Sequence, residues 1–101
     1  MPRKKHLKIL GFNYEVKVVE PNEMNEGING ICDDVNLNIL IKRNKIMVST
    51  LIHEIIEALN TNLDFGFEHR VILQLESGVY QVLVDNKLLN TDTIKNLLRK
   101  D

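Results

Sequence analysis

From Leu37 to Leu63 the chain reads LNILIKRNKIMVSTLIHEIIEALNTNL, and within that stretch the spacing of apolar residues changes. Leu37, Ile39 and Ile41 lie two apart, the period of a strand whose side chains face opposite sides in turn. Further on, Ile52, Ile55, Ile56, Leu59 and Leu63 recur at i, i+3, i+4, i+7 and i+11, which is one stripe of a helix. The change of period predicts a strand running into a helix over about residues 50–62, with Ser49 or Thr50 as N-cap.

Upstream, Leu7 and Ile9, then Phe12, Tyr14, Val16 and Val18, alternate on either side of Gly11. That pattern predicts two antiparallel strands. Pro21 to Gly30 is rich in Asn, Glu and Gly and reads as a loop. A short third strand is expected at Ile31, with Asp33, Asp34 and Asn36 turning the chain into the strand at Leu37 to Ile41. Residues 6–42 are therefore expected to be β. Downstream, Asn60 to Gly66 breaks the first helix. Val71, Ile72, Leu75, Val79, Val82 and Leu83 then predict a second amphipathic helix over 68–86, closed by Asp85 and a left-handed Asn86. Thr91 or Asp92 caps a last short helix over 92–99, whose basic end suits its dipole. Strands first and helices after predict an α+β domain over residues 1–101. Its antiparallel sheet of three to four strands is followed by two main helices and a short C-terminal one.

The chain has 101 residues, 44% hydrophobic and 27% charged, the profile of one globular domain. Thirteen basic against fourteen acidic side chains leave a formal charge of -1, so no general field draws it to nucleic acid. Arg3, Lys4 and Lys5 are the one basic run, read as a solvated terminus. No apolar run approaches the roughly 20 residues of a membrane span. Met1 to Lys8 is charged and no uninterrupted apolar segment follows it, so a signal peptide is not expected. The single Cys32 excludes an internal disulfide and suits a reducing cytosol; it reads as a buried thiol. His6 reads as a surface residue.

Chemistry concentrates in His53-Glu54-Ile55-Ile56-Glu57. Residues four apart on a helix lie about one turn apart on one face, so His53 and Glu57 can reach one ion. A catalytic zinc site needs about three protein ligands. The start of the second helix offers Glu68 or His69 as the third. His69 gives a ligand set with a single negative charge, which leaves a zinc ion net positive and able to acidify water. Glu68 would neutralise the ion. A helical wheel pulls the other way, because it aligns Glu68 with Ile72, Leu75 and Val79 and puts His69 at the edge, above Glu76 and Tyr80. Glu54, further round the first helix, is placed to act as general base. Tyr80 reads as a packing residue before an oxyanion donor.

The stretch Thr50 to Leu59 resembles the active-site helix of zincin metallopeptidases, whose usual motif is His-Glu-x-x-His. The chain from Gly30 to Asn86 resembles a group of small phage and prophage proteins described as metallopeptidases of bacteria with low-GC genomes. It does so through Leu37 to Ile41, His53 to Glu57, Glu68-His69-Arg70-Val71-Ile72 with Leu75, and Tyr80 to Asn86. The resemblance implies a minimal zincin-like fold, Zn²⁺ as cofactor, a peptide or protein substrate, and a place in the cytoplasm of a bacterial host. Glu57 departs from the motif, standing where a zincin has its second His. His53, Glu57 and His69 restore two histidines and one acid, with the acid and second His exchanged. The alternative reading is a catalytically inactive accessory protein of the same fold that acts by protein-protein binding.

Overall fold

A computed structural model describes residues 5–89 and 91–99; Arg3 and Lys4 of the basic run lie outside them. Strands β1 (Lys5–Ile9) and β2 (Phe12–Val19) form the expected hairpin, with Lys5 opposite Val16 and Ile9 opposite Phe12. Their turn is Leu10-Gly11, at φ 52° and 85°. Two residues at positive φ make a turn whose twist matches that of the flanking strands, which is why a glycine stands there.

Strand β3 (Gly30–Asp33) and strand β4 (Asn38–Lys42) form a second antiparallel pair. Asp33 builds their turn by accepting from the Val35 and Asn36 amides, both at 3.0 Å. These hydrogen bonds favour its charged form, so its carboxyl is held below the usual range. The sheet order is β1-β2-β4-β3, and β4 lies parallel to β2, with Ile39 beside Val16 and Ile41 beside Val18. The expectation of an all-antiparallel sheet is thus corrected to a mixed one. The connection from Glu20 to Asn29, with a one-turn helix at Pro21–Glu23, carries the chain past the vacant position beside β2. The hairpin then brings β4 back inward, running in the direction of β2. Ile39 and Ile41 are fully buried, and that burial favours a central place for β4 over an edge.

Helices α1 (Met47–Leu63), α2 (His69–Asp85) and α3 (Asp92–Leu97) follow. The core forms where α1 lies on the sheet, joining Ile9, Tyr14, Val16, Ile39 and Ile41 to Leu51 and Ala58, with Leu97 and Leu98 at its margin. Each such aliphatic side chain contributes about 1.5–3 kcal/mol by leaving water. The buried residues of α1 are Thr50, Leu51, Ile52, Glu54 and Ala58, while Leu63 is exposed. The face turned inward is therefore rotated from the all-aliphatic stripe predicted by the sequence. Small Thr50 and Ala58 let the helix approach the sheet closely, and the bulkier Ile55 and Leu59 pack along the flank.

Helix α1 begins before Ser49 and Thr50, with Ile46 as an N-cap that has no side-chain cap bond; just ahead of it Asn44 makes a turn by accepting from the Ile46 amide at 2.9 Å. Its C-terminus closes on Asp64 in the left-handed conformation. Helix α2 packs chiefly on α1. Ile72 is its only buried residue, with Val71, Glu76, Tyr80 and Leu83 half-buried. Leu75, Val79 and Val82, expected to face inward, are exposed. The left-handed residue after α2 is Lys87 at φ 58°, whereas Asn86 keeps φ at -102°. Thr91 caps α3 as predicted, its hydroxyl accepting from the Ile94 amide at 3.3 Å. None of the described helices is long and apolar enough to cross a membrane.

Candidate metal centre

Helix α1 carries His53 and Glu57 one turn apart, and the link to α2 delivers the third group. Asn60, on the same side of α1, fixes that link at both ends of one residue. Its Oδ1 accepts from the Phe67 amide at 2.9 Å and its Nδ2 donates to the Phe67 carbonyl at 3.3 Å. Two residues later the chain enters α2 at His69. Donor atoms of His53, Glu57 and His69 lie within 4.8 Å of one another. The two imidazoles meet edge to face, with centroids 5.5 Å apart and rings 66° from parallel, so they converge without stacking. Glu68 is not part of this group. It stands at the N-cap of α2, largely exposed, and its carboxylate faces Arg70 at 3.9 Å.

Ligand atoms about 2.0–2.2 Å from one zinc ion in a tetrahedral site sit about 3.4 Å from each other. The donors here lie within 4.8 Å of one another, wider by at most about 1.4 Å, a gap that a side-chain rotation of the exposed His69 at a helix start can close. Two imidazoles and a carboxylate are also the donor types zinc prefers. These residues could hold a metal ion, and their donor types suit zinc.

Beside the cluster a cleft of about 340 Å³ opens between α1, α2 and the segment Gly27 to Gly30. His53, Glu54, His69 and Glu76 line it, and Ile28, Ile46 and Leu73 provide apolar walls. Glu54 is 5% exposed, and its carboxylate makes no hydrogen bond to the described residues. It rests against the backbone of β3. A Cβ built on Gly30 would meet Glu54 Oε2 at 2.8 Å and Thr50 Cγ2 at 2.6 Å. Only glycine leaves room for that approach. Burial pushes the Glu54 carboxyl up to about 7, with the charges of Glu57, Glu76 and Asp34 adding to the rise and His53 opposing it.

Among other residues singled out by sequence, Tyr80 does not line the cleft. It lines a separate groove with Val48 and Val84. Cys32 is half-buried and bonded to Asp34 Oδ1 at 3.5 Å; burial, then the Asp34 charge, pushes its thiol up to about 12, far from a nucleophile's range. Asp34 points inward and accepts from the buried Tyr14 hydroxyl at 2.7 Å, leaving Asp33 to make the turn. His6 is exposed on β1, as expected.

Sequence reasoning missed Glu76. Its Oε1 lies 2.7 Å from His53 Nδ1, and its Oε2 accepts from the Ser49 hydroxyl at 2.6 Å. The available signal was the seven-residue spacing from His69, which puts both on one side of α2. In the sheet, β4 lies inside and β3 is the edge beside the cleft. No family model, curated protein or solved structure matches this chain.

Proposed function

We propose that the chain is a zinc-dependent hydrolase of peptide bonds, working in the cytosol of a bacterial host as the resemblance of its motif to phage metallopeptidases implies. One observation carries the reading: Glu54, 5% exposed and without a hydrogen bond among the described residues, lines a cleft directly beside two imidazoles and a second carboxylate. A carboxylate that opens on a cleft and spends no oxygen on a hydrogen bond is available to take a proton there, as a general base must be. His53, Glu57 and His69 would hold the ion. A zinc ion held there would supply a Lewis acid to polarise a substrate carbonyl and to lower the pKa of an attacking water.

Glu54 accepts the proton of that water, and a carboxyl raised to near neutrality is matched to the task of taking a proton and passing it to the leaving amine. Ile28, Ile46 and Leu73 supply apolar contact to the substrate side chains. The free edge of β3 offers its backbone to an extended peptide, which such edges bind by adding a strand.

The test is metal content and turnover together. Purified protein is expected to carry near-stoichiometric zinc, and Glu54→Gln to retain it while peptide hydrolysis falls by about 10²–10⁴-fold. If His53→Ala leaves both metal content and thermal stability unchanged, the site reading is wrong. A second reading, a silent binding protein of the same fold, is favoured by the exposed row Leu75, Val79 and Val82 on α2. Bound zinc without hydrolysis of any peptide in a random library would select it.

A further inference from the structure

We propose that Glu76 is a positioning residue for the metal centre, fixing the tautomer and orientation of the His53 imidazole while Ser49 fixes Glu76. This rests on the metal-binding reading of His53.

The two oxygens of Glu76 have separate tasks. Oε1 lies 2.7 Å from His53 Nδ1, and Oε2 accepts the Ser49 hydroxyl at 2.6 Å. Ser49 and His53 are one turn apart on α1, so a single carboxylate from α2 spans two successive turns and cannot rotate without breaking one of the bonds. The His53 and Glu76 side chains are only 17% and 20% exposed, so water competes weakly for them.

An imidazole that donates its Nδ1–H in a hydrogen bond to a carboxylate keeps that proton and presents a bare Nε2, the nitrogen left to bind a cation. The same bond raises the basicity of that nitrogen and fixes the plane of the ring. Helix α2 thus acts on the site twice, through His69 as a donor and, two turns on along the same face, through Glu76 as the support of a donor on α1. A plain interhelical ion pair accounts for the 2.7 Å contact but not for the Ser49 bond, which aims the carboxylate at Nδ1 and away from solvent.

The experiment reads the ring and the metal separately. Long-range proton–nitrogen NMR of the metal-free protein at mildly alkaline pH reports which nitrogen of His53 carries the proton. Competition with a chelator reports zinc affinity. Wild type is expected to hold His53 as the Nδ1-protonated tautomer. Glu76→Ala is expected to lose that preference and about 10–100-fold in zinc affinity. Glu76→Gln retains an amide oxygen for the same proton, so it should keep the tautomer yet bind zinc more weakly; Ser49→Ala should show the smallest loss. If Glu76→Ala fails to fold, Glu76→Gln and Ser49→Ala carry the test.

A Glu76→Ala protein with the wild-type tautomer, or with unchanged zinc affinity, overturns the proposal; so does Glu76→Gln with unchanged affinity where Glu76→Ala does not fold. If wild type takes no zinc while Glu76→Ala still shifts the tautomer, the hydrolase reading falls and the control of the ring by Glu76 stands.

Discussion

Helices α1 and α2 are both seventeen residues long and both amphipathic, yet they are held in different ways. Helix α1 buries five residues and supplies Leu51 and Ala58 to the core on the sheet. Helix α2 buries only Ile72 and packs chiefly on α1, with Leu75, Val79 and Val82 left in water. The candidate metal centre straddles this boundary. Two of its donors and Glu54 stand on the firmly seated helix, and the third donor stands on the lightly held one. What holds α2 in place near the cleft is largely polar, namely the grip of Asn60 on Phe67 and the bonds of Ser49 and His53 to Glu76. Polar contacts of this kind contribute about 1 kcal/mol each, so the geometry of the site is set more loosely than that of the core.

Truncation tests the contrast most severely. Ile39→Ala, in the layer beneath α1, is expected to cost about 2–5 kcal/mol, whereas Val79→Ala on α2 should stay within about 0.5 kcal/mol. Urea unfolding curves measure both. Comparable losses would mean that the exposed row of α2 is covered in solution, and the contrast would fail.

Zinc sharpens the comparison from the other side. At a hundredfold excess over its Kd the ion should add about 2.7 kcal/mol to stability. Its two α1 ligands are already on a packed helix, so amide exchange should slow more in α2 than in α1. Equal protection of both helices would show that α2 is as firmly seated as α1 before metal arrives.

The smallest effect is electrostatic and belongs to the buried face of α1. The folded Glu54 carboxyl is raised to about 7, above its value of 4.5 in the unfolded chain. Between those values the folded protein binds more protons than the unfolded one, so stability falls as pH rises. The metal-free protein should lose about 1–3 kcal/mol from pH 4.5 to above pH 7, the range reflecting screening at the open cleft. Glu54→Gln should flatten that slope in thermal melts across pH. A slope unaffected by the substitution would show that another group carries it.

Much of the molecule was legible from local pattern. The hairpin around Gly11, the Asp33 turn, the change to helical period and the Thr91 cap each follow from residues within a few positions of one another. Part of the site was legible for the same reason, since His53 and Glu57 share a face on any helix. The choice of His69 over Glu68 followed from charge, and the structure does bring His69 and not Glu68 to the other two donors. The helical wheel pointed the other way because it assumed that the most apolar stripe of α2 faces inward. Tertiary packing instead turned in the side carrying Ile72, Glu76 and Tyr80.

Sequence by itself determined which segments are strands and helices and which residues they present at one-turn spacing, because backbone period and capping are short-range. Only the tertiary structure decided that β4 would lie parallel to β2, that β3 would be the edge beside the cleft, and that Glu54 would be pressed against Gly30. It also decided that Glu76 would reach His53 across two helices. Strand order and the rotation of one helix against another are settled by which arrangement buries the most apolar surface while leaving the fewest polar groups unpaired, and that balance is a property of the whole chain.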